Sequence, residues 1–338
     1  MLRVTEGQIT EEQANRYYRA IKSGRTVKEV CNYLGLTQLE FEGLVFLLND
    51  CYGKKIDFVE TEDHEFVVMK KPIKRVQRKL KLAKEECIYD KYMVVADTHL
   101  GNNRQQLHLL NELYREAYER EIANVYHAGD LVDGDYSSHR KEHPRQVFLH
   151  GFDELAGYVV DMYPEVDGIT TGFILGSHDE TTYKNGQATL GCWIPRCRKD
   201  MIYLGQDQWV GKIGNVRAIL DHPGDGSDYS LSYKPQKRIE EFESGHKPRV
   251  IYFAHYHKYQ QGEYRNVKFV QNPALCDKTP FQIKKGISNY VGGVFIEQWS
   301  DEKGNIQYFK CEPRLYGPED FWDESGKDMP KVKHLVIK

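Results

Sequence analysis

The sequence predicts an α/β chain in two parts: a small helical domain, then a larger layered α/β domain built on a β-sandwich. Three observations carry this. Residues 10–50 hold three helical patterns, each opened by Thr followed three positions later by Gln or Glu. From Tyr89 onward, short apolar runs of strand length alternate with helical stretches and turn residues. Between the two lies 70–84, KKPIKRVQRKLKLAK, with eight Lys or Arg and no acid, the composition of a solvated connector. At 338 residues the chain has room for one large domain and a small one.

In the first part, Thr10-x-x-Gln13 starts a helix that runs to about Ser23-Gly24. Thr26-x-x-Glu29 opens a short second helix, with Val27, Val30, Cys31 and Leu34 on one face and Gly35 as its stop. Thr37-x-x-Glu40 opens a third, holding Leu39, Phe41, Leu44, Val45, Leu47 and Leu48. Two β-like runs, 56–60 and 65–69, flank the acidic tip 61–64 as a hairpin. Residues 1–69 therefore read as a winged helix-turn-helix. A DNA-reading helix needs basic or amide side chains aimed at base edges. The third helix offers Gln38, Glu40, Glu42 and Asn49 but no Lys or Arg, and residues 1–69 hold 8 basic against 12 acidic residues. That balance favours docking to a protein partner, or to the chain's own larger domain, over sequence-specific DNA reading.

The composition, 40% hydrophobic and 29% charged with a net charge of −3, is that of a soluble globular protein. No run approaches the roughly 18 apolar residues of a membrane span, and MLRVTEGQITEEQ lacks a signal-peptide pattern. A cytoplasmic protein with no membrane association is expected. The seven cysteines, at 31, 51, 87, 192, 197, 276 and 311, are odd in number and irregularly spaced. They read as reduced thiols rather than a disulfide framework. Cys192-x4-Cys197 has no second ligand pair nearby to complete a zinc site.

The larger domain spans 89–300, after a basic linker at 70–88 and before a C-terminal extension at 301–338. Buried strands are predicted at 92–96, 125–126, 172–175, 216–220, 250–253, 267–270 and 290–296, with helices at about 103–123 and 145–162. Five short blocks follow or close these strands: Asp97-Thr-His99, Gly129-Asp130-Leu-Val-Asp133, Gly176-Ser-His178-Asp179, His222, and Ala254-His255-Tyr-His257. Each is weak alone, but strand ends of an α/β sheet bring dispersed loops to one edge. Carboxylates with imidazoles suit divalent Mn, Fe, Co or Zn. A dinuclear site needs a bridging carboxylate, for which Asp130 is the candidate, with His127, Asp133 and Asp179 as possible orienting partners.

Together the blocks resemble the calcineurin-like metallophosphoesterase family, whose pattern is D-x-H, G-D-x-x-D, G-N-H-[DE], H and G-H-x-H. The resemblance covers about residues 90–300 and implies a four-layer α/β/β/α sandwich holding two divalent metal ions. Mn2+ is the expected metal, with Fe, Zn, Ni or Co as alternatives. Position by position it implies Asp97, His99, Asp130 and His257 around one metal. Asp130, His222 and His255 surround the other, with Ser177 as a further ligand. His178 would be the catalytic imidazole, oriented by Asp179. The segment Gln271-Asn-Pro-Ala resembles the Asn-Pro-Gly turn that often follows the last histidine motif. Two departures stand out: Ala254 replaces Gly, and Ser177 replaces Asn. A serine hydroxyl is the poorer ligand, so the second metal is expected to bind through water, more weakly, or only with substrate present.

The implied chemistry is hydrolysis of a phosphoester, with two metals clamping the phosphoryl group and activating a shared water. A nuclease acting on DNA or RNA is the favoured form. The stretch from Gly129 to Asp179 resembles the nuclease branch of the family, near double-strand-break repair nucleases and the small subunit of D-family DNA polymerases. Lys74, Arg75, Arg78 and Lys79 are candidate phosphate contacts, and Tyr136, Trp193, Tyr256 and Tyr259 candidate stacking residues. The alternatives are a phosphomonoesterase or protein phosphatase, a cyclic-nucleotide phosphodiesterase, or a metal-bound interaction module in a replication or repair complex.

Overall fold

A computed structural model describes residues 9–21, 26–54, 56–60, 66–70, 80–82, 85–135, 143–226, 230–242, 247–321 and 334–337. The chain divides into two compact units, Met1–Val76 and Gln77–Lys338.

The first unit contains α1 (Glu11–Ile21), α2 (Val27–Leu34), α3 (Gln38–Tyr52) and an antiparallel pair, β1 (Ile56–Glu60) with β2 (Phe66–Lys70). Thr26 and Thr37 each close a reciprocal capping box with the Glu three residues on, and Gly35 and Gly53 end α2 and α3 in the left-handed conformation. Val27, Val30, Phe41, Leu44, Leu48 and Ile56 pack with Ala14 and Ile21 of α1 into a core of the unit's own. Polar side chains on α3 are committed locally. Asn49 exchanges two hydrogen bonds with the backbone of Ile56, Gln38 donates to Glu42, and Glu40 accepts from Thr37.

The second unit opens with β3 (Leu80–Leu82) and β4 (Glu85–Val95), so part of the expected linker is strand. Then come α4 (Leu107–Glu119), β5 (Asn124–Ala128), α5 (Gly151–Met162), β6 (Glu165–Val166) and β7 (Thr170–Leu175). Next are α6 (Glu180–Gly186), α7 (Leu190–Cys197), β8 (Met201–Gln206), β9 (Gln208–Ile213) and β10 (Val216–Asp221). The rest is α8 (Tyr233–Glu240), β11 (Val250–Phe253), β12 (Gln260–Tyr264), β13 (Val267–Gln271), α9 (Pro280–Lys285), β14 (Val291–Ser300), β15 (Ile306–Tyr316) and β16 (Val336–Ile337).

Two mixed sheets result. One runs β15-β14-β4-β5-β7-β8, with β3 also paired to β4; the other runs β12-β13-β11-β10-β9. In the first, β4, β5, β7 and the edge strand β8 are parallel, with antiparallel β14 and β15 on one side; in the second, β10, β11 and β13 are parallel and antiparallel β9 and β12 flank them. Alternate side chains of one strand point to opposite faces, and the cores follow that alternation. Tyr92 and Val94 of β4 join Ala218 and Leu220 of β10, Val250 and Tyr252 of β11 and Val294 of β14 in a core shared by both sheets. Met93 and Val95 pack instead with Leu110 and Leu113 of α4 and Val159 of α5. On the second sheet, Ile219, Ile251 and Phe269 pack with Ile239 of α8.

The sheet continues past residue 300, because β15 pairs along the whole of β14. The last described residues pair β16 with β6, and Leu335 and Ile337 pack against the helix-side core. Among the described residues, no helix is long and apolar enough to cross a membrane.

Candidate metal centre

The ligand candidates all follow parallel strands: Asp97 and His99 follow β4, Asp130 follows β5, and Ser177 and His178 follow β7. From the other sheet, His222 follows β10, and His255 and His257 follow β11. Beneath them Ala96, Ala128 and Ala254 form one small buried cluster. Each alanine directly precedes a ligand block, and only a small side chain lets the strand ends approach so closely. Ala254, in place of the expected Gly, fits this packing.

The approach distorts the backbone. Asp97, His99, Asp130, His255 and His257 have φ of 51°, 43°, 53°, 73° and 52°. This left-handed region costs a non-glycine residue about 1–3 kcal/mol and is tolerated where the surroundings enforce it. Two glycines make room. A Cβ on Gly129, itself at φ 99°, would stand 2.5 Å from His222 Nδ1, and one on Gly176 would stand 2.7 Å from the Asp130 backbone N.

Two sets of side chains can each hold a metal ion. Asp97, His99 and His257 bring their ligand atoms within 4.8 Å of one another, and so do Asp130, His222 and His255. A third set, His99, Asp130 and His178, shares members with both. All but His178 and His255 are buried, and those two are half-buried.

The hydrogen bonds test whether these residues suit a cation. His99 donates Nδ1–H to Asp133 Oδ1 at 2.9 Å. Asn289 donates to the Cys276 carbonyl and so presents its Oδ1 to His257 Nδ1, 3.0 Å away; Gln282 Nε2 lies 3.1 Å from the same nitrogen. The Nε2 atoms of His99 and His257 stand 3.1 Å apart, and His257 Nε2 lies 3.3 Å from Asp97 Oδ1. Two imidazole nitrogens on one ion, each at roughly 2.1 Å, stand about 3.0–3.4 Å apart. His222 donates Nδ1–H to the Ala128 carbonyl at 3.0 Å, which turns its Nε2 toward Asp130. That Nε2 is buried, lacks a hydrogen-bond partner and lies 3.0 Å from Asp130 Oδ2, near enough for an ion pair but not aligned for a hydrogen bond. Imidazole nitrogens and carboxylate oxygens gathered this closely suit a positive charge between them, and a divalent cation fits.

The electrostatics agree. Burial opposes charge on His222, yet the Asp130 carboxylate beside it pushes its pKa up to about 10. Burial and the neighbouring His222 push His255 down to about 4. Burial would raise Asp130, but His222 and His178 hold it well below the usual carboxylate range. The site draws in a proton at His222, and a metal ion would displace that proton.

His178 donates Nδ1–H to the Asp133 carbonyl at 2.7 Å, with Asp133 Oδ1 also 3.3 Å away, and meets His99 edge to face. Its pKa rises to about 9, because the charge of Asp130 and the contacts to Asp133 outweigh burial. Asp133 is thus the residue in contact with His178, where Asp179 was expected. The Asp179 carboxylate accepts backbone N–H bonds from Leu131, Val132 and Gly176, tying the β5 and β7 loops together. Burial and the Asp130 charge still push it up to about 7. His127 bonds to Thr98 Oγ1 rather than to a ligand. Ser177 is half-buried between Gly176 and His178, and the His178 N–H is itself donated to Asp130 Oδ1 at 2.8 Å.

Of the aromatic candidates, Trp193 is 45% exposed on α7, whereas Tyr256 is buried and donates to Asp225, and Tyr259 packs against the inter-sheet core. Tyr256 is held by packing, and Tyr259 is half-buried. Tyr136, Lys74, Arg75, Arg78 and Lys79 lie outside the described residues. Sequence reading missed Asn102, His143, Gln282 and Asn289, which contact Asp133 or His257. His143 and Asn289 sit in segments without a motif, whereas Gln282 lies on α9 and closes a capping box with Thr279.

Fold and site define a mixed α/β protein with buried Asp/His clusters suited to metal ions. No protein-family model and no curated protein matches the chain. Among solved structures it is similar to a novel archaeal phosphodiesterase, at 12% identity and TM-score 0.38 over 66% of this chain and 99% of that one. It is also similar to Vps29 complexed with Zn2+ from Entamoeba histolytica, at 14% and 0.32 over 67% and 99%. A third is a 5'-nucleotidase precursor from Thermus thermophilus, at 13% and 0.33 over 69% and 56%. Likeness this distant does not bear on the residues, which carry the assignment themselves.

Proposed function

We propose that this chain is a metal-dependent phosphoesterase of the calcineurin-like type, and that its substrate is a phosphodiester of DNA or RNA. The carrying observation is the pair of Asp/His sets, converging from two sheets, with His178 beside both. Asp97, His99, Asp130 and His257 would hold one ion; Asp130, His222, His255 and Ser177 would hold the other. When bound, two divalent ions supply positive charge to the phosphoryl oxygens and lower the pKa of a water. His178 is anchored through Nδ1, which leaves Nε2 to protonate the leaving oxygen, a role worth about 10²–10⁴-fold. Asp133 keeps that imidazole in the required tautomer. The small floor formed by Ala96, Ala128 and Ala254 keeps the ligand loops close.

The three separate cores of the second unit support the four-layer reading. The capped helices and hairpin of the first unit support a winged helix. Its committed polar side chains favour a protein-docking role over base reading. The nuclease assignment is supported by the Gly129-to-Asp179 resemblance and by the basic stretch between the units. It is tested by offering bis-p-nitrophenyl phosphate, p-nitrophenyl phosphate, and labelled single- and double-stranded DNA and RNA, each with Mn2+. Cleavage of the diester and a nucleic acid is expected. Hydrolysis of the monoester alone would leave a phosphomonoesterase.

A further inference from the structure

Asp133 is only 2% exposed, and its carboxylate faces three hydrogen-bond donors and, as an ion-pair contact, the His178 imidazole. Oδ1 faces His99 Nδ1 at 2.9 Å and His178 Nδ1 at 3.3 Å, while Oδ2 faces Asn102 Nδ2 at 2.9 Å and His143 Nε2 at 2.8 Å. One buried anion therefore holds a candidate metal ligand and the candidate acid together. Oδ1 can serve both imidazoles only if Oδ2 is fixed, since rotation of the carboxylate would carry Oδ1 off one of them.

His143 makes the shortest contact to Oδ2 and is itself 2% exposed. It belongs to a segment that returns to the site from the stretch after β5. Asn103 N–H donates to Gln146, Phe148 N–H donates to Gly101, and Asn102 bridges Val147 in antiparallel fashion. These backbone bonds lock 143–148 against the loop that carries Asn102. The two donors to Oδ2 thus come from paired segments, and the histidine's placement is built in rather than incidental.

We infer that His143 is a positioning residue, fixing the Asp133 carboxylate so that it can orient His99 for metal binding and His178 for proton transfer. This rests on the phosphoesterase reading of the site. Removing an orienting partner of a ligand typically costs 10–100-fold in metal affinity or activity.

The test uses the full chain with His143→Ala and His143→Gln, the glutamine amide restoring an N–H near the position of Nε2. Circular dichroism establishes that both are folded. Mn2+ affinity is measured by titration calorimetry, and kcat and KM on bis-p-nitrophenyl phosphate at saturating Mn2+. Expected for alanine is about 10-fold or greater loss in Mn2+ affinity and in kcat with KM near wild type, most of it regained by glutamine. Wild-type values of both quantities in folded His143→Ala would overturn the inference. Equal losses in the two variants would overturn it too, since the hydrogen bond would then not matter. A wild-type protein inert toward every phosphoester would sink the functional reading, while the Mn2+ titration would still judge His143.

Discussion

His178 and Ser177 are neighbours with different duties, and single substitutions separate them. His178 is held by Asp133 through Nδ1, and its N–H fastens the Asp130 carboxylate from the backbone, which any side chain at 178 would preserve. His178→Ala should therefore keep metal content while reducing kcat by about 10²–10⁴-fold; loss of metal from the folded variant would make it a ligand instead. Ser177 presents a short hydroxyl where an amide oxygen would reach further. Ser177→Asn should tighten the weaker Mn2+ site about tenfold, or about 1.4 kcal/mol, in a titration that resolves two sites. Two equally tight sites in the wild type would remove the reason for the change. At this scale the ligands were legible because strand ends place them in ordered blocks. Of their partners Asp133 was legible within the same block, but His143 and Asn289 were not, because a hydrogen bond from either leaves no period or spacing in a sequence.

Among the elements, the central parallel strands were readable from their apolar runs, since burial on both faces forces Val, Ile, Leu and Phe into consecutive positions. The edges were not. Strand β12, QQGEY, is wholly half-buried or exposed, and β15 carries Pro313, which a sheet accepts only at its edge. The elements meet at the alanine floor, so its packing can be tested directly. Ala128 is fully buried, contacts the equivalent alanines of β4 and β11, and its carbonyl holds His222. Ala128→Val forces two methyl groups into that layer, a change that typically costs about 1–3 kcal/mol. For a unit of this size that lowers Tm by roughly 2–10 °C. Mn2+ affinity should fall with it, because a displaced carbonyl releases His222. An unchanged Tm together with unchanged affinity would show that the strand ends do not depend on small residues there.

Over the whole molecule, the decisive contrast is between the core of the first unit, formed among residues of α1, α2, α3 and β1, and the second unit, which carries every candidate metal ligand. A ligand stabilises only the folded state that binds it, by about 2.7 kcal/mol at a hundred times its Kd. Calorimetry of the full chain should therefore show two transitions. Mn2+ at that excess should raise the one belonging to the second unit by about 5–10 °C and leave the other in place. Chelation by EDTA should reverse the shift. The sign follows from the buried Asp/His clusters, whose ligand atoms already lie within 4.8 Å of one another in the folded unit and are not gathered in the unfolded chain. A single transition that moves as a whole would show the units unfold as one. Two transitions that both ignore Mn2+ would mean that the clusters bind no metal, and the proposed chemistry would fall with them.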